Sequence, residues 1–424
     1  MAALTVWAAV STVLTLATIP LKTPRAGLLA GGEDLWVYRE AARNLTADLD
    51  LYTLPVLGEH FYTYTPFSTI AFLPFGLLPG DADKYIWMAV NLLVLAAVVG
   101  SCWRLLGYHT TPAVVGGSAL LTVSLVFLEP VRTTLFYGQI NLVLLLLVLW
   151  DTSCRQGSRL KGVGIGLAAG VKLTPAYFAF YYLTLRQWRA AVVAVAAFAA
   201  TACLGWLVLP RDSRIYWTGT FLDPSRVAAD QLHPSNQSLR GALGRLLSGH
   251  PTNVVAPLAG QPPPAWLWLP IAAVVLILST WLAVRLYRIG ERLLSVTVSG
   301  LTATVLSPMS WTHHWLWTVP VLVYFVHRAQ VNRWWWLAAA ALFATLGSWP
   351  YRFSVDEQPR IGLYMFPDKW LPWECLSNLY LMVYAALMLG AAVVAYRRSR
   401  VSACSADERT RVASAAWTED GCAP

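Results

Sequence analysis

The chain has 424 residues, of which 57% are hydrophobic and 12% charged, with a mean hydropathy of +0.53. That composition excludes a soluble protein of this size and identifies a polytopic membrane protein. The net charge of +9 does not signal nucleic acid, because basic residues stand singly or in pairs at the ends of apolar runs, where they set topology.

The first apolar run, residues 3–20, lacks a basic leader and ends in Pro20-Leu21-Lys22, so it reads as a retained anchor and not a removed signal. Further apolar runs fall near 66–79, 84–104, 112–128, 134–150, 162–184, 190–209, 266–287, 293–308, 312–327, 333–349 and 374–396. A crossing helix needs about 20 residues, so several are marginal. The run 66–79 carries Pro66, Pro74 and Pro79, and 162–184 is interrupted by Lys172 and Pro175. Both predict broken or partly crossing helices. The pattern predicts an all-α polytopic membrane helix bundle with about 10–12 transmembrane segments, some short or broken. Residues 1–396 form that domain, with outer loops at 21–65, 210–264 and 350–373. The tail 397–424 is small and polar without apolar periodicity, and is expected to be disordered and cytoplasmic.

Orientation follows from the short basic loops, with Arg186 and Arg189, Arg285, Arg288 and Arg292, Arg328 and Arg333, and finally Arg397, Arg398 and Arg400. All lie on one side, which is then cytoplasmic. The loop 151–161, with Arg155, Arg159 and Lys161, resists a strict count of crossings. It joins the others if 66–79 and 162–184 each enter and return, a ten-span variant.

The candidate chemistry gathers on the opposite side. Glu33 and Asp34 stand among Trp36, Tyr38, Tyr52, Tyr62 and Tyr64, and a carboxylate held at an apolar boundary is a functional candidate. Asp34 can equally cap a helix over 35–44, and the residues alone leave both readings open. Gln139 and Asn141 place amides at the outer end of an apolar helix, where they can bond a sugar or satisfy a helix start. Lys172 must pair, snorkel or meet an anion such as a phosphate. The segment QLHPSNQSLRG offers His233, Asn236, Gln237 and Arg240, either to a hydroxyl-rich or phosphate-bearing ligand or only to solvent. His313 and His314 lie between Trp311 and Trp315. As adjacent residues on a helix they cannot both face one metal, so phosphate binding or an interfacial tryptophan belt is the better reading. The six scattered cysteines have no metal-type spacing, and no metal or cofactor is implied.

The run DLWVYREAARNL, then YTYTPFSTIAFLPFGLLP, YGQINLVLLLLVLWD, GVGIGLAAGVKLTPAYF, HPSNQSLRG and LSPMSWTHHWLW resembles, in order over residues 1–396, the actinobacterial glycosyltransferase family 87. The resemblance implies a GT-C membrane bundle in the plasma membrane, with its active site on the extracytoplasmic side. It also implies a polyprenyl-phosphate-mannose donor and a mannosylated lipid acceptor, either a phosphatidylinositol mannoside or lipomannan and its arabinosylated relative. Asp34 matches the family's catalytic base for an inverting transfer to a 2-hydroxyl that forms an α-1,2 bond. Lys172, His313 or His314 would meet the donor phosphate, with Tyr62, Tyr64, Gln139 and Asn141 lining the site. Glu33 immediately precedes Asp34, so the sequence does not decide between the two carboxylates. An arabinofuranosyltransferase on the same scaffold is the alternative within enzymes. A lipid transporter is the alternative outside them, disfavoured because the aromatic and amide clusters occupy one face.

Overall fold

The computed structural model describes residues 1–77, 82–223, 226, 230–248, 262–352, 359–366 and 373–419, and its elements are almost all helical. After α1 (Ala2–Thr18), the helix α2 (Glu33–Thr46) carries five charged residues and is too polar to cross a bilayer. It buries Leu35, Val37, Tyr38, Ala41 and Ala42, a stripe at helical spacing. Two short helices, α3 (Pro66–Ala71) and α4 (Leu73–Leu77), pack against it. Thr65 caps α3 by accepting from the Ser68 amide at 3.3 Å, and Pro66 sits in the first turn, where its missing N–H costs nothing.

The long helix α5 (Ala82–Leu105) and α6 (Pro112–Leu125) lead to a bent pair, α7 (Glu129–Tyr137) and α8 (Asn141–Ser153), which meet at 119°. The run 134–150 is therefore not one span, as the sequence suggested. Gly138 takes φ +72° between the two helices, a left-handed conformation that ends α7 and turns the chain toward Gln139.

The run 162–184 is also broken. α9 (Val163–Val171) ends at Lys172, whose backbone is extended, and a 3-10 turn over Thr174–Ala176 with Pro175 precedes α10 (Tyr177–Thr184). Lys161 at one end of this hairpin and Leu185 at the other line the same cavity, so the hairpin enters and returns with Lys172 near its tip. The loop 151–161 accordingly lies with the other basic loops. Arg189 Nη1 donates to the Gly157 carbonyl at 2.8 Å, and Gln156 Nε2 to the Tyr287 hydroxyl at 2.9 Å.

The remaining helices are α11 (Trp188–Val208), α12 (Pro210–Thr218), α13 (Leu239–Ser248), α14 (Ala265–Arg288), α15 (Arg292–Leu306), α16 (Thr318–Ala329), α17 (Trp335–Thr345), α18 (Trp373–Ser377) and α19 (Leu379–Glu419). A 3-10 turn over Thr312–Trp317 leads into α16, and β1 (Pro350–Tyr351) pairs antiparallel with β2 (Arg360–Ile361). Among the described residues, four helices are long and apolar enough to cross, the sharply bent α7–α8 pair has the combined length of a broken span or a re-entrant loop, and four more are apolar but only 10–17 residues long. The expected dozen runs thus resolve into a few full-length spans and many partial ones. The tail expected to be disordered continues α19 as far as Glu419, since no proline or glycine interrupts the chain between Gly390 and Gly421. Residues 249–261 of the long outer loop lie outside those described.

Close backbone packing holds the hairpin in place. Gly162, Gly166 and Gly170, four residues apart, face α11, where an added Cβ would collide with Ala190, Ala197 and Thr201 respectively. Small residues at this spacing let membrane helices approach closely. Gly166→Leu is expected to lower the thermal unfolding midpoint of the purified protein sharply, because overpacking costs about 1–3 kcal/mol or more. Gly100→Ala, where a Cβ meets nothing within 4 Å, is the control and should leave the midpoint unchanged or raised. Equal midpoints for both variants would remove the packing argument.

Candidate active site

Asp34 does not cap its helix. The cap position is Gly32, at φ +133°, and α2 begins one residue earlier than the carboxylate. Glu33 folds back to accept from the Gly32 amide at 3.2 Å. Asp34 instead reaches across to α8's leading residues, where Gln139 Nε2 donates to its Oδ2 at 2.6 Å. Gly138 permits this approach, because a Cβ there would stand 2.8 Å from that of Leu35. Trp87 Nε1 fixes the same bend by donating to the Gly138 carbonyl at 2.8 Å.

From Gln139 the hydrogen bonds continue to two tyrosines. The Tyr38 and Tyr64 hydroxyls lie 2.7 Å apart, and each is 3.1 Å from Gln139 Oε1. The Lys172 ammonium sits 5.1 Å over the Tyr64 ring and donates to Asn141 Oδ1 and His314 Nε2, both at 3.1 Å. His314 therefore orients Lys172, since its Nε2 accepts the ammonium's hydrogen. His313 holds the other side through its carbonyl, which accepts from Asn141 Nδ2 at 3.3 Å. The His313 ring packs edge-on against His314 and Tyr137, and its Nε2 is buried without a hydrogen-bond partner.

Asn141, Lys172 and His314 head a cavity whose walls continue as Leu144, Phe178 and Trp317. One end is polar and cationic and the other apolar. Asp34 lies past the head of the cavity, beyond Tyr64. Burial pushes its carboxyl up to about 6, against the opposing pull of the Gln139 hydrogen bond and the Lys172 charge.

The other sequence candidates lie elsewhere. Tyr62 is buried behind Tyr64 and its hydroxyl contacts Ser68 Oγ. Asn236 and Gln237, read as ligand donors, are buried braces. Asn236 Oδ1 accepts from the Ser310 amide at 2.9 Å, and Gln237 bonds the Ser377 carbonyl at 2.7 Å and the Tyr380 amide at 3.2 Å. Their amides meet backbone groups that would otherwise be unsatisfied. His233 accepts from the Ser235 amide at 3.1 Å, and the Arg240 guanidinium lies 6.0 Å over Trp268. Sequence reasoning missed Tyr38 as a direct partner of Gln139. It also missed Glu129, a buried carboxylate that accepts from Thr133 and Thr312 at 2.7 Å each and contacts Tyr380. Glu129 ties α7 to the turn bearing both histidines, and its position at the edge of an apolar run was the available signal.

Fold and site together define a polytopic helical membrane protein in which a buried carboxylate, Asp34, is hydrogen-bonded to Gln139 and its tyrosine partners, with the Lys172 ammonium over the Tyr64 ring at the head of an adjoining cavity. Residues 62–308, more than half of the chain, match the model for glycosyltransferase family 87, and the protein belongs to that family. It is 37% identical over 292 residues, 66% of each chain, to a Mycolicibacterium smegmatis protein named polyprenol-phosphate-mannose-dependent alpha-(1-2)-phosphatidylinositol pentamannoside mannosyltransferase. A Mycobacterium tuberculosis protein of the same name is 36% identical, with 65% of this chain and 62% of the relative covered. A Mycolicibacterium smegmatis alpha-(1->3)-arabinofuranosyltransferase is 28% identical over 74% of this chain and 72% of its own. The matched region thus spans about two thirds of the length of these mannosyltransferases. No solved structure matches the chain.

A reaction that uses Asp34 as its base is expected to gain rate as pH rises through about 6, because the carboxyl accepts a proton only when ionised. Gln139→Leu removes the bond that favours the ionised form, so the acid limb of kcat/KM should move to higher pH by roughly one to two units. A limb that stays put or moves down in this variant contradicts the assignment.

Proposed function

We propose that the protein transfers mannose from polyprenyl-phosphate-mannose to a 2-hydroxyl of a mannosylated lipid, such as a phosphatidylinositol mannoside, with inversion. The observation that carries this reading is the Asp34–Gln139–Tyr64–Lys172 chain at the head of a cavity that turns apolar. Family membership and the names of the mannosyltransferase relatives support the choice of sugar and donor. The arabinofuranosyltransferase relatives match at lower identity, which favours mannose.

The donor phosphate meets Lys172, and the first isoprene units lie along Leu144, Phe178 and Trp317. The mannosyl ring then spans Tyr64. The acceptor 2-hydroxyl attacks the anomeric carbon from the face opposite the phosphate, and Asp34 takes its proton. The bond from that carbon to the phosphate oxygen breaks, and the polyprenyl phosphate leaves with the electron pair, stabilised by the Lys172 ammonium. A phosphate is a good leaving group without protonation, so one carboxylate suffices where glycoside hydrolysis commonly uses two.

The reaction lies on the extracytoplasmic side. The basic loops at 151–161, 186–189 and 285–292 gather at the end of the bundle away from Asp34, and such loops face the cytoplasm.

Membranes expressing the protein, given radiolabelled polyprenyl-phosphate-mannose and a phosphatidylinositol mannoside, should yield a mannosylated lipid. Asp34→Asn is expected to lose about 10²–10⁴ in rate, since an amide cannot accept the proton, while Glu33→Gln keeps a substantial fraction. Lys172→Ala should weaken donor use by roughly ten- to a hundredfold. Full transfer by Asp34→Asn, or a dead Glu33→Gln, would reverse the assignment of the base.

A further inference from the structure

At the end of the bundle away from Asp34, a second cavity of about 310 Å³ opens where the loop 151–161, the turn before α11 and the α14–α15 junction meet. Along α8, Asn141 at the head of the first cavity and Ser153 in the second stand about 18 Å apart at 1.5 Å per residue, although the lining of the first extends as far as Val148. Arg155, Lys161 and Arg292 line this cavity, and no carboxylate does. Among the described residues, neither Arg155 nor Arg292 makes a side-chain hydrogen bond or ion pair, and both are exposed. Lys161 donates to the carbonyls of Thr152 and Cys154 at 3.3 and 3.1 Å, which leaves one hydrogen of its ammonium. Asp151, the acid next to it, is turned away toward the Gly162 and Ile165 amides at 2.9 and 3.2 Å. Asp151 offsets part of the Lys161 charge, while Arg155 and Arg292 converge beside it with no carboxylate partner among the described residues.

The uncharged groups are also incomplete. Gln156 and Gln187 both donate to the Tyr287 hydroxyl at 2.9 Å, so that hydroxyl's own hydrogen is free to point into the cavity. Gln187 Oε1 is buried with no donor. A buried acceptor left unsatisfied costs roughly what a lost hydrogen bond does, so the site favours a ligand that brings a hydroxyl. Leu105, Leu185 and Val296 add an apolar wall.

Phosphate for the cations, hydroxyls for Gln187 and an apolar stem for the wall describe one class of molecule. We infer that this cavity binds the headgroup of an anionic, hydroxyl-bearing phospholipid of the surrounding membrane, at a site separate from the transfer chemistry. Because Lys161 and Leu185 flank the hairpin whose tip carries Lys172, the bound headgroup clamps the two feet of that hairpin.

The test is native mass spectrometry of the full chain in detergent, offered phosphatidylglycerol and phosphatidylcholine at equal concentration. Phosphatidylglycerol adducts should exceed phosphatidylcholine adducts by about tenfold or more. The Arg155→Gln/Arg292→Gln variant should lose that preference. Arg285→Gln, at the same end but outside the cavity lining, should keep it. Gln187→Leu, which leaves all three cations, should weaken it severalfold and serves if the double variant does not fold. Soluble glycerol 1-phosphate should not displace the lipid at matching concentration. Equal binding of the two lipids, an equal loss in Arg285→Gln, an undiminished preference in both cavity variants, or displacement by glycerol 1-phosphate would each overturn the inference.

Discussion

Holding a carboxylate and an ammonium in one apolar recess without letting them collapse into an ion pair is the constraint on which this structure turns. Asp34 is bonded by Gln139, whose Oε1 meets the Tyr64 hydroxyl, while the Lys172 ammonium lies over the Tyr64 ring and donates to Asn141. A direct pair would neutralise both and leave neither free for a ligand. Separated, each keeps its own neutral partners, which is the arrangement that the proposed roles of proton acceptor and anion receptor require. The hydrogen-bonded chain also satisfies polar atoms that would otherwise be stranded in an apolar setting.

Broken helices follow from that constraint. An unbroken helix points its side chains outward and occupies its backbone internally, whereas Gln139, Asn141 and Lys172 must all converge on one point. The chain achieves this by ending two helices there, α7 at Gly138 and α9 at Lys172. Irregular backbone at such depth is tolerated only where it is buried in protein or lines a cavity, and both breaks do one or the other. Glycine-on-alanine packing of α9 against α11 then fixes the hairpin tip to within a side chain's tolerance.

Sequence alone singled out Asp34, Gln139, Asn141, Lys172, Tyr64 and His314, which the structure brings together, because polar residues stand out against an apolar background. The break at Lys172 was equally legible, since lysine and proline interrupt the run openly. The break at Gly138 was not, as a single glycine in an apolar run gives no sign of a positive φ. Asn236 and Gln237 misled for a related reason. An amide that braces a backbone and an amide that binds a sugar are the same residue, and only the partners distinguish them. Asp34 as a helix cap was a fair reading until the glycine before it took that position.

The account is tested most directly by a cryo-EM structure of the protein with a polyprenyl-phosphonate analogue of the mannosyl donor. It predicts the phosphonate within about 3 Å of the Lys172 ammonium, the isoprenoid chain against Phe178 and Trp317, and the Asp34 carboxylate on the opposite face of the anomeric carbon. A phosphonate bound instead beside Arg240 and His233, with Lys172 still held only by Asn141 and His314, would contradict it.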